Sequence, residues 1–340
     1  MMNDHSLVLE PENKILGSKN PRNRDFQSLV AKYINWTLVI GYWSLFLCLS
    51  AYAFDPLTIA QGATALGMGG AAVAAVREGN TVFNNPASLG EIDSFRMNSM
   101  SGTIMEEATF SLLDGVYPFG SQAAFGIGYS GVCVPGIERY DSGGISLGKA
   151  ANYTNGVFLA AYGKKLTESF SLGLSVKYNY VEASEDASGN GSAWNADLGL
   201  MQKSLDWVNF GLVGKDLFSS TKIIAGTNLY LMGSRFSSAI VSPYELSLAL
   251  DLSLGLSQTN SSGTRLGIEF SPSNLLTVRT GLDQNNPTAG VSLKTAGLGF
   301  HYAYHTYGGF SGNVTHYFSL SFDEQGWPPE SPPETRVAKK

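Results

Sequence analysis

The stretch LSLALDLSLGL, from Leu246 to Leu256, places a leucine at every second position. Ser, Ala, Asp and Gly occupy the positions between the leucines. Alternate side chains of a β-strand point to opposite faces, so the stretch predicts a strand with one large apolar face and one small, polar face.

The same alternation recurs in FSLGLSVKYNY, RLGIEF, LTVRTGL, GLGFHYAY and VTHYFSLSF, which begin at residues 170, 265, 276, 297 and 314. A soluble sandwich would carry Lys and Glu on its polar face, whereas these segments carry mostly Ser, Gly, Asn and Thr. Segments of about ten residues with an apolar outer face and a polar inner face are typical of membrane barrels. About 13 or 14 candidate strands lie between Phe95 and Phe322, and the preference for even numbers favours 14. The region from Leu217 to Pro243 is compatible with a strand, a long loop or both.

The composition agrees with a membrane barrel. Only 15% of residues are charged, against about 25% in typical soluble domains. The chain has 39 Gly, 16 Tyr and 18 Phe, and its net charge of −6 argues against a nucleic-acid partner. Cys133 is interpreted as a structural thiol, because its neighbours GVCVPG offer no base to activate it.

An apolar segment, WTLVIGYWSLFLCLSAYAF, runs from Trp36 to Phe54 and predicts a secretory signal peptide cleaved before Phe54. The alternative is an uncleaved transmembrane anchor, for which the segment has the minimum length. Cys48 lacks the flanking residues of a lipoprotein box. Residues 1–35 are longer and more polar than the usual n-region of a signal peptide. One explanation is that the start codon is assigned too early, and a start at Val30 would leave a short basic n-region. We therefore exclude residues 1–53 from the predicted fold.

Two motifs follow the signal: ATALGMGGAAVA from Ala63, and NNPASLG from Asn84. Together they resemble the N-terminal motif of the FadL-like outer-membrane barrels, and most closely that of the PorV-like branch. The runs GIEFSPSNLLTVRTGL, TAGVSLKTAGLGFHYAYHT and VTHYFSLSF are similar to the closing strands of that branch. The resemblance covers residues 61–322. It departs at Ser88, where the family usually has Gly, and in the 18 residues after Phe322.

The resemblance implies an all-β protein, namely a transmembrane antiparallel barrel of about 14 strands with an N-terminal Gly-rich plug or hatch. It places the protein in the outer membrane of a diderm bacterium. The predicted divisions are a signal region at 1–53, a hatch at 54–92, a barrel at 93–322 and a Pro-rich disordered tail at 323–340. A barrel of 14 strands is too wide to fill with its own side chains, which agrees with a hatch. The predicted hatch residues are Gly67, Gly69, Gly70, Asn84, Asn85 and Pro86.

Charged and polar residues at inward positions predict a network on the lumen wall. These residues are Lys177, Asp197, Asp251, Arg265, Glu269, Arg279, Lys294, His301 and His305. Two His residues four positions apart are too few to predict a metal site, and no nucleophile motif stands out. We therefore expect no enzyme activity, no catalytic residues, no metal and no cofactor.

Two functions remain open. The PorV-like resemblance implies a platform for protein secretion or surface attachment, with secreted or surface proteins as partners. The alternative is a plugged channel for uptake of hydrophobic small molecules such as long-chain fatty acids. A transporter should have a long apolar extracellular loop; residues 133–150 are mostly polar, whereas residues 223–240 are more apolar. Outer-membrane lipid is the expected surrounding in both cases.

Overall fold

The computed structural model describes residues 56–75, 81–104, 107–183, 190–205, 207–232, 244–256, 262–306 and 314–325. The predicted signal region lies outside these residues, as does all of the predicted tail after Gln325. In the described part, 14 antiparallel strands pair in chain order and β14 closes on β1, which makes a barrel without a free edge. The predicted fold class and strand number are confirmed.

The strands fall into a tall group, β3 to β6, and a shorter remainder. Their bounds are β1 (Arg96–Ile104), β2 (Ala108–Pro118), β3 (Ala123–Tyr140), β4 (Ser146–Thr167), β5 (Phe170–Ala183), β6 (Gly191–Leu205), β7 (Val208–Lys215), β8 (Lys222–Met232), β9 (Glu245–Gly255), β10 (Gly263–Ser271), β11 (Leu276–Asp283), β12 (Asn286–Thr295), β13 (Leu298–Thr306) and β14 (Val314–Asp323). We call the end where β1 begins and β14 ends the terminal end, and the opposite end the hairpin end.

The described residues before β1 contain four short helical segments. Two are 3₁₀ turns, η1 (Pro56–Thr58) and η2 (Pro86–Glu91), and two are α-helical, α1 (Ala63–Gly67) and α2 (Thr81–Asn84). Residues 56–75 and 81–92, which carry these segments, are called the hatch below. No described helix is long and apolar enough to cross a membrane.

The outer face of the barrel is apolar over most strands. Leu250 of β9 pairs with Leu266 of β10, and Leu266 pairs with Leu282 of β11, so one row of leucines crosses three strands. Large apolar side chains such as Leu252 and Phe318 are more than half exposed. Exposed leucines and phenylalanines in this number suit lipid and not water.

In β1 and β2, several large apolar side chains face the lumen and small hydroxyl side chains face outward, which is the reverse of the pattern in most other strands. Their inward residues include Met100, Phe110 and Leu112, which are fully buried, whereas Ser99 and Ser111 point outward. The physical reason lies inside the barrel, because the inward face of these strands packs against apolar side chains of the hatch.

Within the described residues, the two candidate loop segments, 133–150 and 223–240, lie mostly in strands. Residues 133–150 are mostly strand: the ends of β3 and β4 form a hairpin that continues well past β2. Its turn is held by Asp141, whose carboxylate accepts backbone N–H bonds from Gly143 and Ile145 at 2.8 and 2.9 Å. Residues 222–232 form β8, a regular wall strand, and residues 233–243 lie outside the described part.

Candidate functional site: the hatch and the lumen wall

The hatch touches the barrel wall all the way round the lumen. Helix α1 lies against β11 to β14, α2 against β2 to β4, and η2 against β3 to β6. The intervening residues 68–75 approach β7 to β11. The hatch therefore spans the lumen from one wall to the other.

Inward glycines of the wall receive the hatch backbone. Gly163, Gly173 and Gly199 are direct neighbours on β4, β5 and β6, and they lie under Pro86 and Asn85. Two more pairs, Gly211 with Gly226 and Gly267 with Gly281, lie under Val73 and Met68. A Cβ added to Gly267 would lie 2.5 Å from the Met68 carbonyl oxygen, so no larger residue fits without displacing the hatch. These seven residues are called the glycine seats.

The predicted hatch glycines lie at the closest approaches. Gly67 faces Gly290 of β12, and Gly69 faces the carbonyl oxygens of Leu266 and Leu282. Gly69 and Gly70 also have positive φ angles of 67° and 78°, a region that L side chains rarely adopt. Backbone conformation therefore favours glycine at both positions, and at Gly69 the nearby backbone also leaves no space for a side chain.

Asp251 and Thr288, two buried side chains of the wall, bond the hatch backbone. The Asp251 carboxylate accepts the N–H groups of Ala72 and Val73 at 2.8 and 3.0 Å. The Thr288 hydroxyl accepts from Gly69 N–H at 3.0 Å and donates to the Gly67 carbonyl at 3.2 Å. Because these groups are buried, the bonds replace water as partners for hatch backbone that would otherwise be unsatisfied.

Asn85 ties the hatch to itself and to the wall. Its amide donates to the Val73 carbonyl at 2.9 Å and to the Leu200 carbonyl of β6 at 3.1 Å, while its side-chain oxygen accepts from Ala87 N–H. Pro86 directly begins η2. The Asn84 amide donates to the Gln61 carbonyl at 3.4 Å, within the hatch.

An ion-pair cluster fixes the C-terminal end of η2 near the terminal end of the barrel. Glu91 accepts from Lys203 of β6 at 2.5 Å, faces Lys165 of β4 at 3.3 Å, and accepts from Ser171 of β5 at 2.7 Å. Burial of Glu91 raises its pKa, but the hydrogen bond and charge of Lys203, together with Ser171 and Lys165, outweigh burial and leave the pKa below its usual value. The carboxylate is therefore held in its charged form.

The wall opposite the apolar strands is charged and internally paired. Lys177 of β5 bridges Asp197 at 2.7 Å and Asp216 at 2.5 Å. Arg279 pairs with Glu269 at 2.6 Å and donates to Ser292. The remaining predicted residues also face inward: Arg265 and His305 both contact Asp283, His301 bonds Ser292 and Ser321, and Lys294 is half-buried at the end of β12.

These contacts form a network of ion pairs and hydrogen bonds along the lumen wall. The pairs of Lys177, Arg265 and Arg279 lie between neighbouring wall strands or between the wall and the loop after β7, whereas His305 of β13 reaches Asp283 across β12. No group of three or more His, Cys, Asp or Glu side chains in the described part is placed to hold a metal ion.

The lumen wall on the other side is apolar. Phe110 and Tyr317 meet edge to face with ring centroids 5.9 Å apart, and both are fully buried. This cluster, called the apolar wall, adjoins Val82 and Leu89 of the hatch. Its members from the strands are Met100, Ile104, Phe110, Leu112, Val116, Ala124, Val132, Leu159, Ala161, Ala303 and Tyr317.

The glycine seats, Thr288 and the apolar wall were not among the predicted site residues. The seats occur in the sequence as small residues at polar-face positions, so alternation shows that they face inward but not what they receive. The apolar wall gives a misleading signal, because apolar residues in a barrel strand suggest the lipid face.

No protein-family model and no curated protein matches the chain. Solved structures do match its fold. The toluene transporter TbuX of Ralstonia pickettii has 13% identity and a TM-score of 0.53 over 78% of this chain and 98% of that one. The monoaromatic hydrocarbon channel CymD has 13% identity and a TM-score of 0.53 over 80% and 99%. The toluene transporter TodX of Pseudomonas putida has 11% identity and a TM-score of 0.53 over 77% and 97%.

The TM-scores show a shared fold over nearly the full length of each channel. A closed 14-strand barrel with an apolar outer face also satisfies every requirement for crossing a bilayer with strands. The chain is therefore an outer-membrane β-barrel protein of a Gram-negative bacterium, and it shares its fold with these channels.

Proposed function

We propose that the protein is a hatch-closed channel for the uptake of hydrophobic small molecules across the outer membrane. The observation that carries this proposal is the apolar wall, which extends over β1 to β4 inside the lumen. A water-filled channel for polar solutes has a polar lining, whereas an apolar wall lowers the free energy of an apolar solute. We assign the protein no catalytic activity.

The architectural neighbours support this reading. TbuX and TodX are toluene transporters, and CymD is a channel for monoaromatic hydrocarbons. The edge-to-face pair of Phe110 and Tyr317 provides an aromatic surface against which the ring of an aromatic hydrocarbon could pack. Alkyl chains fit the same wall through Met100, Leu112 and Val132, so the proposal covers aromatic hydrocarbons and long-chain fatty acids.

A pair of matched variants tests the proposal. Leu112→Asn places an amide of similar size in the apolar wall. Asn228→Leu makes the opposite exchange on β8, where the buried amide has no hydrogen-bond partner in the described part. Uptake of radiolabelled toluene and oleate is measured in cells that express each variant at equal levels, with heat-modifiable gel migration as the check on folding.

We expect Leu112→Asn to lower uptake of at least one of the two solutes and Asn228→Leu to leave it unchanged. Equal uptake of both solutes by wild type, Leu112→Asn and cells without the protein would reject a hydrophobic-solute channel.

A second candidate, the platform for protein secretion or surface attachment implied by the PorV-like resemblance, has one observation in its favour. The tip of the β3–β4 hairpin exposes Ile137, Tyr140, Ile145 and Leu147, with Ile145 68% exposed. Longer connections of bacterial barrels are extracellular, and an exposed apolar patch outside the bilayer suits a protein partner. Asp141 fixes the turn, so the patch is preorganised.

The double substitution Ile145→Ser and Leu147→Ser separates the two candidates. A platform should lose a co-purifying surface protein while solute uptake stays intact. If the double variant retains every protein that co-purifies with the wild type, the platform function is rejected.

A further inference from the structure

A short chain of polar side chains crosses the apolar wall on the inner face of β14, β1 and β2. The Ser319 hydroxyl donates to the Asn98 side-chain oxygen at 2.7 Å, and the Asn98 amide donates to Asp114 Oδ2 at 3.1 Å. All three side chains are buried, and none is more than 5% exposed. The next inward residues on β1 and β2 are Met100 and Leu112 of the apolar wall. The polar chain therefore lies within an apolar surface.

The polar chain ends at Asp114 with an unsatisfied atom. Both hydrogen bonds run toward Asp114, whose second carboxyl oxygen, Oδ1, is buried and has no hydrogen-bond partner among the described residues. A buried polar atom without a partner keeps its full cost of desolvation. The apolar wall therefore contains a hydrogen-bonding position that a bound solute can fill.

An aromatic ring of the hatch lies beside this carboxyl group. Gly128 of β3 pairs with Asp114 and has no side chain on its inward face. A Cβ built on Gly128 would lie 2.6 Å from Cε2 and Cζ of the Phe83 ring and 3.4 Å from Asp114 Cβ. The tip of the Phe83 ring therefore covers Gly128 next to Asp114. A phenylalanine ring packs well on the apolar wall, but it carries no group that can bond Oδ1.

We propose that this position binds the hydroxyl of a phenol, whose ring takes the place of Phe83 when the hatch moves. The inference rests on the proposed function and names its preferred substrates, which are aromatic solutes with a hydroxyl on an apolar ring. A hydroxyl both donates and accepts, so it satisfies Oδ1 whether or not the Asp114 carboxyl holds a proton. Toluene fits the same space but leaves Oδ1 unpaired, and a site built to bond a hydroxyl discriminates against the analogue that lacks it.

Equilibrium dialysis of the purified protein in detergent tests the site without transport. Phe83→Ala vacates the space of the ring, and apolar cavities of this kind bind small aromatic molecules. The probes are p-cresol and toluene, which differ by one hydroxyl, and detergent without protein corrects for partition into micelles. The matched control is Phe110→Ala, which vacates a ring of the same type in the apolar wall, one turn of side-chain alternation beyond Leu112 on β2.

We expect Phe83→Ala to bind p-cresol more tightly than toluene. Adding Asp114→Leu to Phe83→Ala should lower the ratio of the two affinities roughly tenfold, which is the size of one hydrogen bond. Adding Asp114→Leu to Phe110→Ala should leave its ratio unchanged. An equal ratio for Phe83→Ala with and without Asp114→Leu, or no binding of either probe by Phe83→Ala, would overturn the proposal.

A second measurement keeps the hatch intact and separates this inference from the proposed function. Uptake of labelled p-cresol and toluene is measured in cells that express wild type or Asp114→Leu. Asp114→Leu should lower the ratio of p-cresol to toluene uptake, whereas a general loss of folded protein lowers both. Uptake of both solutes with an unchanged ratio refutes the hydroxyl site alone. Uptake of neither above cells without the protein refutes the proposed function, and the dialysis ratio then still decides the site.

Discussion

Single glycines decide how closely the hatch can approach the wall. The glycine seats lie at inward positions of the strands. An added Cβ would meet hatch backbone at six of them, and the side chains of Asp251 and Val73 at Gly226. From the sequence, these positions can be assigned to the lumen face, as were Asp251, Arg279 and the other predicted wall residues. Their role cannot be predicted, because it depends on contacts with residues that are distant in the sequence, such as Pro86 for Gly173 and Met68 for Gly267.

Enlarging a seat should loosen the hatch. Gly173→Val forces a side chain against Pro86 and Ala87, and overpacking of this kind costs about 1–3 kcal/mol. We expect faster cleavage of the hatch by a protease added to the purified protein in detergent. Gly191→Val is the control, since nothing lies within 4 Å of its added Cβ. Equal cleavage rates for both variants would show that the seat does not hold the hatch.

Glu91 should make the docking of the hatch depend on pH. Its pKa is lowered in the folded protein, so its ion pairs stabilise docking fully above the unfolded value of 4.5 and lose their contribution as pH falls through the lowered pKa. In planar bilayers, ion leak through the wild type should rise as the pH is lowered below about 4.5. Glu91→Gln should leak at neutral pH and show a flatter pH profile.

At the scale of single strands, the sequence predicts the closing part of the barrel best. Strands β9 to β14 alternate clearly, because their exposed outer faces are mostly apolar and their inner faces are mostly polar or small. Strands β1 and β2 cannot be predicted in this way, since their inner faces pack on an apolar hatch. Strand β8 carries Ala225 and Thr227 on its outer face and Ile224 on its inner face, which obscures the pattern.

The assigned faces of β9 predict opposite effects for two neighbouring substitutions. Leu250 faces lipid, so Leu250→Arg should destabilise the barrel by about 2–4 kcal/mol near the bilayer midplane. Ser253 faces the lumen near the hairpin end, so Ser253→Arg should be tolerated. Unfolding in urea, followed by gel migration of unheated samples, measures both, and equal midpoints would contradict the register.

Across the whole molecule, the hatch separates two unlike walls. One wall is charged and internally paired through Lys177, Arg279 and their partners, and the other is apolar. The N-terminal motif predicts the hatch because its glycines and Asn-Asn-Pro satisfy the space and hydrogen bonds of a lumen. Neither the glycines nor the Asn-Asn-Pro specifies which solute passes the hatch, since that depends on the side chains of the lumen wall.

Closure of the barrel by the hatch is tested most directly by single-channel conductance in planar bilayers. Deleting residues 56–92 removes the hatch but leaves every strand pair and the β1–β14 seam, because barrel hydrogen bonds run only between strands. Wild type should show no steady ionic conductance at neutral pH, and the deletion should form a stable open pore, as expected for 14 unfilled strands. Equal conductance of the two proteins would contradict closure by the hatch.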